Sequence, residues 1–244
     1  MEYTESVAAG CMHIPWWKEG WMVAQRHVLM VVTSHGEMPT GERTGIWLSE
    51  FAEPYEVFRA SGFKITVASI KGGKAPIDPR SLTAEAEAKW AEAIRVLDDT
   101  VPIDAVSADG FDALFLPGGH GTMFDLPGSV KLQSLIRTLI ESDRPVGAVC
   151  HGPAGLVDVR LSDGTHLVKG RRVTAFTNEE ERAVKLDQAM PFLLEDRLRQ
   201  AGAEFIPAEK WADHVEVDGK LVTGQNPQSG ESAARKLAEL VASA

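Results

Sequence analysis

Cysteine is scarce in this chain: Cys11 and Cys150 are the only two in 244 residues. They lie far apart and suggest no disulfide framework, which points to a reducing, cytoplasmic setting. Positive charge is short as well. Lys and Arg number 25 against 35 Asp and Glu, a formal charge of −10. No basic run offers a local exception, so neither nucleic acid nor an anionic membrane is an expected partner. No apolar run approaches the ~18 residues of a membrane span. Residues 1–22 lack the basic start and continuous apolar stretch of a signal peptide. There is no Walker or GxGxxG loop, no cysteine pair, and no second histidine at ligand spacing from His120 or His151, so neither metal nor cofactor is expected.

Residues 1–26 are instead rich in tryptophan, with Trp16, Trp17 and Trp21 making up three of the six. They read as an extension whose rings dock on the rest of the chain or on a second subunit. From residue 27 to residue 244 the pattern is one domain of alternating strands and helices. "HVLMVVT" (27–33) is a nearly continuous apolar run, as expected of a parallel strand covered on both faces. A helix is expected from about Trp47 to Arg59, then a strand at "KITVAS" (64–69). Thr83 caps a further helix, with Trp90, Ile94 and Leu97 on one face. "FDALFLPGG" (111–119), "PVGAVC" (145–150) and "RRVTAFT" (171–177) read as strands, and "SVKLQSLIRTLIES" (129–142) as a helix. "MPFLLEDRLRQAG" reads as a helix with Pro191 near its start and Gly202 at its end. "HVEVDGKLVTG" alternates around Asp218-Gly219 as a C-terminal hairpin, and a last helix closes the chain. The fold class that follows is a three-layer α/β domain on a mainly parallel sheet.

Ligands of such sheets bind beyond the carboxyl ends of the strands. Cys150 stands there, between an apolar strand and "HGPAGL". A nucleophile on a sharp strand-to-helix turn, with a glycine soon after it, has the arrangement of a nucleophile elbow. A helix N-terminus beside the sulfur would favour the thiolate. The His151 amide would face an oxyanion, with Gly118-Gly119 at the neighbouring strand end as a second donor. The His151 imidazole needs an orienting acid, and "TNEEE" (177–181) follows the next strand. Glu50 lies four residues before Pro54, which cannot donate to the Glu50 carbonyl, so a kink is expected there. Trp47 and Phe51 beside it suggest a pocket apolar enough to raise a carboxyl pKa. "HVE" (214–216) matches the His-x-Glu of class I glutamine amidotransferases, but its place in an alternating hairpin strand argues against that role.

The blocks "TGIWLSEFAEPYEVFRASGFKITVASIKGGKAPIDP", "LFLPGGHGTMFDLP", "AVCHGPAGL", "VTAFTNEEE" and "LVTGQNPQS" together resemble the ThiJ/PfpI superfamily. Within it they are most similar to the branch of heat-inducible chaperones and glutathione-independent glyoxalase III enzymes. The resemblance implies a flavodoxin-like, class I glutamine amidotransferase-like fold and a homodimer. It places the family's elbow cysteine on Cys150, its histidine on His151 and its helix-borne acid on Glu50. The acid completing a Cys-His-acid triad falls on Glu181, with Glu179 and Glu180 as immediate neighbours. Gly119 and the His151 amide are the implied oxyanion donors. Some bacterial members bind a metal through two histidines and a carboxylate, including the "GGHG" histidine. Residues 70–105 here hold no histidine to complete that set.

The expected activity is conversion of methylglyoxal, or glyoxal, by a cysteine-dependent lyase of the glyoxalase III type (the D-lactate dehydratase class). Glu50 tunes the thiol and His151 moves the proton. Two other readings stay open at this level: a stress-related holdase chaperone, and a deglycase or cysteine hydrolase using the same thiol.

Overall fold

The computed structural model describes residues 25–243. Trp16, Trp17, Trp21, Cys11 and nearly all of the proposed extension lie outside the described residues. The elements in chain order are β1 (His27–Val32), α1 (Leu48–Ala60), β2 (Lys64–Ser69), α2 (Ala84–Lys89), α3 (Ala91–Val96), β3 (Val101–Pro102) and β4 (Ala113–Leu116). Then come α4 (Thr122–Asp125), α5 (Val130–Glu141), β5 (Val146–Val149), β6 (Arg172–Val173), α6 (Asn178–Ala183) and α7 (Leu194–Gln200). The chain closes with β7 (Glu204–Phe205), β8 (Val215–Asp218), β9 (Leu221–Gly224) and α8 (Gly230–Ala242).

Seven strands form one sheet in the order β3-β2-β1-β4-β5-β9-β8. All neighbours pair parallel except the β8–β9 hairpin. The alternation within β1 shows why the run is apolar throughout. Val28, Met30 and Val32 face a layer containing Phe51 and Phe58 of α1 and Ala233 and Leu237 of α8. Leu29 and Val31 face the opposite layer, with Leu132, Leu135, Ile136 and Leu139 of α5. A strand buried on both faces has no polar side to spare. The result is the flavodoxin-like three-layer arrangement. Its strand order reverses between β1 and β4, where a crevice opens at the carboxyl ends.

Three expected elements differ. Thr83 does cap a helix, accepting from the Ala86 amide. That helix stops at Trp90 (φ −113, ψ 28), and α3 starts after it. The break lets the Trp90 ring enter the layer beside α1. Residues 171–177 do not extend the main sheet. Only Arg172 and Val173 are strand, paired with β7 in a separate two-stranded sheet. The remainder crosses to the site, with the Thr174 amide donating to Thr223 Oγ1 and the Phe176 amide to the Cys150 carbonyl. The last difference is at Pro191, which precedes α7 rather than opening it; the helix starts at Leu194, capped by Leu193.

The turn after β5 is the tightest in the fold. Cys150 takes φ 59, left-handed for a residue with a Cβ, at a cost of about 1–3 kcal/mol. The conformation is held from both sides: its amide donates to Gly224 O at 2.9 Å and its carbonyl accepts from Phe176 N at 2.9 Å. Gly152 follows with its Cα pressed on the Leu116 carbonyl, leaving no room for a methyl. Gly152→Ala is therefore expected to lower stability by about 1–3 kcal/mol, seen as a lower urea midpoint at unchanged slope. An unchanged midpoint would contradict this packing.

Candidate active site

The crevice holds a cavity of about 740 Å³, whose lining includes Glu50, Arg80, Gly119, His120, Cys150 and His151. Cys150 sits at its base, 3 % exposed. The turn that follows is a short 3-10 segment, Gly152–Leu156, not the α-helix whose dipole was expected to favour a thiolate. Burial pushes the thiol well above its ordinary range, and the Glu50 carboxyl adds to this.

Glu50 lies in the first turn of α1, fully buried. The helix runs through Pro54 without a break, so the expected kink does not interrupt it. Burial raises the Glu50 pKa well above the usual carboxylate range, against the opposing effects of the Cys150 thiol and the Gly118 amide. Two acids this close in a dry pocket disfavour a second negative charge, so the pair carries at most one at neutral pH. Glu50 Oε2 accepts from Gly118 N at 3.0 Å, and Oε1 is buried with no hydrogen-bond partner among the described residues. That contact corrects one expectation: the Gly118 amide is engaged by Glu50 and is not available to an oxyanion. The amides of Gly119 and His151 have no acceptor among the described residues. Gly119 (φ 104) lies against the backbone of Gly45–Trp47, where no side chain fits. Thr122 Oγ1 bridges the carbonyls of Gly119 and His151 at 2.8 and 3.0 Å, tying the two loops together.

His151 links the sulfur to an acid. Its Nδ1 stands 3.3 Å from Cys150 Sγ, and its Nε2 stands 2.7 Å from Glu181 Oε2. Burial works to raise the Glu181 pKa, but the His151 and His120 imidazoles outweigh it and hold the carboxyl well below its usual range. An ionised carboxylate only accepts, so His151 carries its proton on Nε2 and leaves Nδ1 open toward the sulfur. The three consecutive acids part company here. Glu179 is exposed and pairs with Lys210. Glu180 is buried and turned to another loop, and Glu181 meets the histidine.

The other Glu181 oxygen, Oε1, is occupied by His120 Nε2 at 2.9 Å. On its far side, His120 Nδ1 accepts from Arg80 Nη2 at 3.2 Å, and Arg80 grips Asp78 with two nitrogens. Arg80 cannot accept, so His120 also has its proton on Nε2. Burial, then His151, lowers the His120 pKa to about 4. Arg80, Asp78 and the role of His120 escaped the sequence reading, because only the crossing of two loops brings them together. His120, His151 and Glu181 make a two-histidine, one-carboxylate set whose ligating atoms lie within 4.8 Å of one another. The fold thus assembles donors that linear spacing did not suggest. The two Nε2 atoms and both carboxylate oxygens hydrogen-bond to one another, and Arg80 puts a positive charge against His120, so the set fits a proton relay better than a cation. His214 lies apart from the cavity, bonded to the Ile206 carbonyl.

The DJ-1/PfpI family profile matches residues 44–240. The chain belongs to that family. The DJ-1/PfpI relatives include glutathione-independent glyoxalase hsp3101 of Schizosaccharomyces pombe, 34% identical over 87% of this chain and 95% of that protein. Among solved structures, glyoxalase III from Candida albicans superposes with a TM-score of 0.81 at 30% identity, covering 88% of this chain and 97% of that one. The Rapid Encystment Protein 24 KDa of Francisella tularensis superposes with a TM-score of 0.85 at 35% identity, over 89% and 99% of the two chains. The likeness to the two glyoxalases places the chain with enzymes of the glyoxalase III type. Among the described residues no helix is long and apolar enough to cross a membrane.

The His120 titration gives a test by linkage. A base whose folded pKa falls from 6.5 to about 4 binds its proton more readily in the unfolded chain. Stability therefore falls as pH drops from about 6.5 toward 4, by up to about 1.4 kcal/mol per pH unit. His120→Gln keeps a donor for Glu181 and removes the titration. Urea unfolding between pH 7 and 4 should then show a shallower loss than in the wild type. An identical slope would contradict the neutral, buried imidazole.

Proposed function

We propose that this protein is a glutathione-independent glyoxalase that converts methylglyoxal to lactate on Cys150. The observation that carries the reading is the contact set around the sulfur: His151 Nδ1 at 3.3 Å, with Glu181 behind it, and a buried Glu50 carboxyl on the Gly118 amide. The names of hsp3101 and of the Candida albicans enzyme support the same substrate class.

The reaction divides among these groups as follows. The Cys150 thiol passes its proton to Glu50, with which it shares one negative charge, as the sulfur adds to the aldehyde carbon C1. The S–C bond forms, and the carbonyl pair becomes an oxyanion held by the Gly119 and His151 amides. His151 Nδ1 then takes the C1 proton, and Glu181 stabilises the imidazolium that results. The electron pair from C1 gives an enediolate; Glu50 protonates carbon C2, and the His151 imidazolium returns its proton to the C2 oxygen. C1 is now a thioester and C2 an alcohol, so oxidation at one carbon balances reduction at the other. Water cleaves the S–C bond, releasing lactate and the free thiol. The enzyme's own sulfur fills the role that glutathione would otherwise play.

Purified protein incubated with methylglyoxal and no glutathione should form lactate, and Cys150→Ala should form none. Glu50→Gln keeps the hydrogen bonding but cannot give up a proton, so its turnover should fall by about 10²–10⁴-fold. Its Cys150 should still be alkylated by iodoacetamide. Lactate formation by Cys150→Ala at the wild-type rate would overturn the reading.

A further inference from the structure

We propose that Trp211 determines which substituent the site accepts, and that the substrates include 2-oxoaldehydes bearing an apolar group larger than methyl. The proposal rests on the glyoxalase reading above. A cavity of about 740 Å³ falls within the range of about 300–1,000 Å³ that holds ligands of drug size. Methylglyoxal has five non-hydrogen atoms and takes the space of only a few waters, at about 30 Å³ each. One side of the space left over is apolar. Trp47, Phe176, Trp211 and Pro227 line it. The Phe176 ring lies 4.5 Å from the His151 ring, and the Trp211 ring 5.7 Å from Phe176. An aromatic wall therefore leads from the imidazole to the mouth. Glu53 and Glu231 line the same cavity and repel a substituent that carries negative charge.

Trp211 stands in this wall against its own backbone preference. Its φ is 64, a left-handed conformation that is an outlier for a bulky side chain. Its side chain stays 40 % exposed, so burial of the ring does not account for the strain. What holds it is Glu180, a fully buried carboxylate. Glu180 Oε1 accepts from Trp211 N at 3.0 Å, Gln225 Nε2 at 3.1 Å and Asn226 Nδ2 at 2.8 Å. Its Oε2 accepts from the amide and hydroxyl of Thr177. A buried carboxyl group with five donors thus fixes a strained tryptophan in the wall of the cavity that holds the reacting sulfur. Strain of this kind persists where the surroundings over-determine it, and it gathers at ligand clamps.

The test compares kcat/KM for isobutylglyoxal and methylglyoxal, read as the hydroxy acid formed, in wild type and Trp211→Gly. Glycine adopts φ 64 freely, so the ring is removed without adding strain; Trp211→Asn, which also tolerates this region, is the second variant. Thermal unfolding checks that both are folded. The wild type should convert both aldehydes, and the isobutylglyoxal-to-methylglyoxal ratio should fall about ten-fold or more in each variant. An unchanged ratio in a folded variant overturns the proposal, as does a wild type that converts methylglyoxal and not isobutylglyoxal. A wild type that converts neither overturns the glyoxalase reading instead.

Discussion

The left-handed turn at Cys150 is the constraint on which the site depends. An ordinary strand end would point the side chains of residues 150 and 151 to opposite faces of the sheet. At φ 59 the alternation breaks, and the imidazole of the next residue comes to 3.3 Å from the sulfur. This turn is followed by the His151 amide, which, like the Gly119 amide, has no acceptor among the described residues. Its cost is offset by two backbone hydrogen bonds, one to β9 and one to the segment ending at Phe176. Those two partners also bring the acids: the chain running on from Phe176 enters α6, which carries Glu180 and Glu181.

Burial then makes the two sides of the sulfur chemically different. On the Glu50 side burial disfavours a charge and raises the carboxyl pKa. On the Glu181 side two imidazoles donate to one carboxylate, and the charge is favoured. The pKa of one acid is raised and that of the other lowered within a single crevice, an arrangement that separates proton donor from electrostatic support. Adjacent positions on α6 divide the structural work too. Glu181 faces the histidines, while Glu180 fixes the loop of Trp211, completing a capping box with Thr177 as it does so.

Much of this architecture was legible in the sequence because it is local. The apolar run of β1, the "KITVAS" strand and the Asp218-Gly219 hairpin follow from side-chain periodicity and turn chemistry. Elements failed where tertiary packing overrode pattern. Trp90 turned inward and split a helix, and residues 174–177 left the sheet to reach Cys150. In the site, the Cys150-His151 pair and the apolar neighbours of Glu50 stand in recognisable local motifs. The engagement of Gly118 by Glu50 does not, since it depends on how deeply α1 is seated. Arg80 and His120 meet only through space, forty residues apart. Nothing in "KWADH" announces a left-handed tryptophan, because that conformation is imposed from outside by Glu180.

The central claim is that the substrate becomes covalently bound to Cys150 sulfur as an acyl group before water releases it. Rapid acid quench during turnover of methylglyoxal, followed by peptide mass spectrometry, measures this directly. The expected result is a Cys150 peptide heavier by one methylglyoxal, present only during turnover and converted to lactohydroxamate by hydroxylamine. Steady lactate production with Cys150 unmodified at every quench time and no hydroxamate would contradict the account.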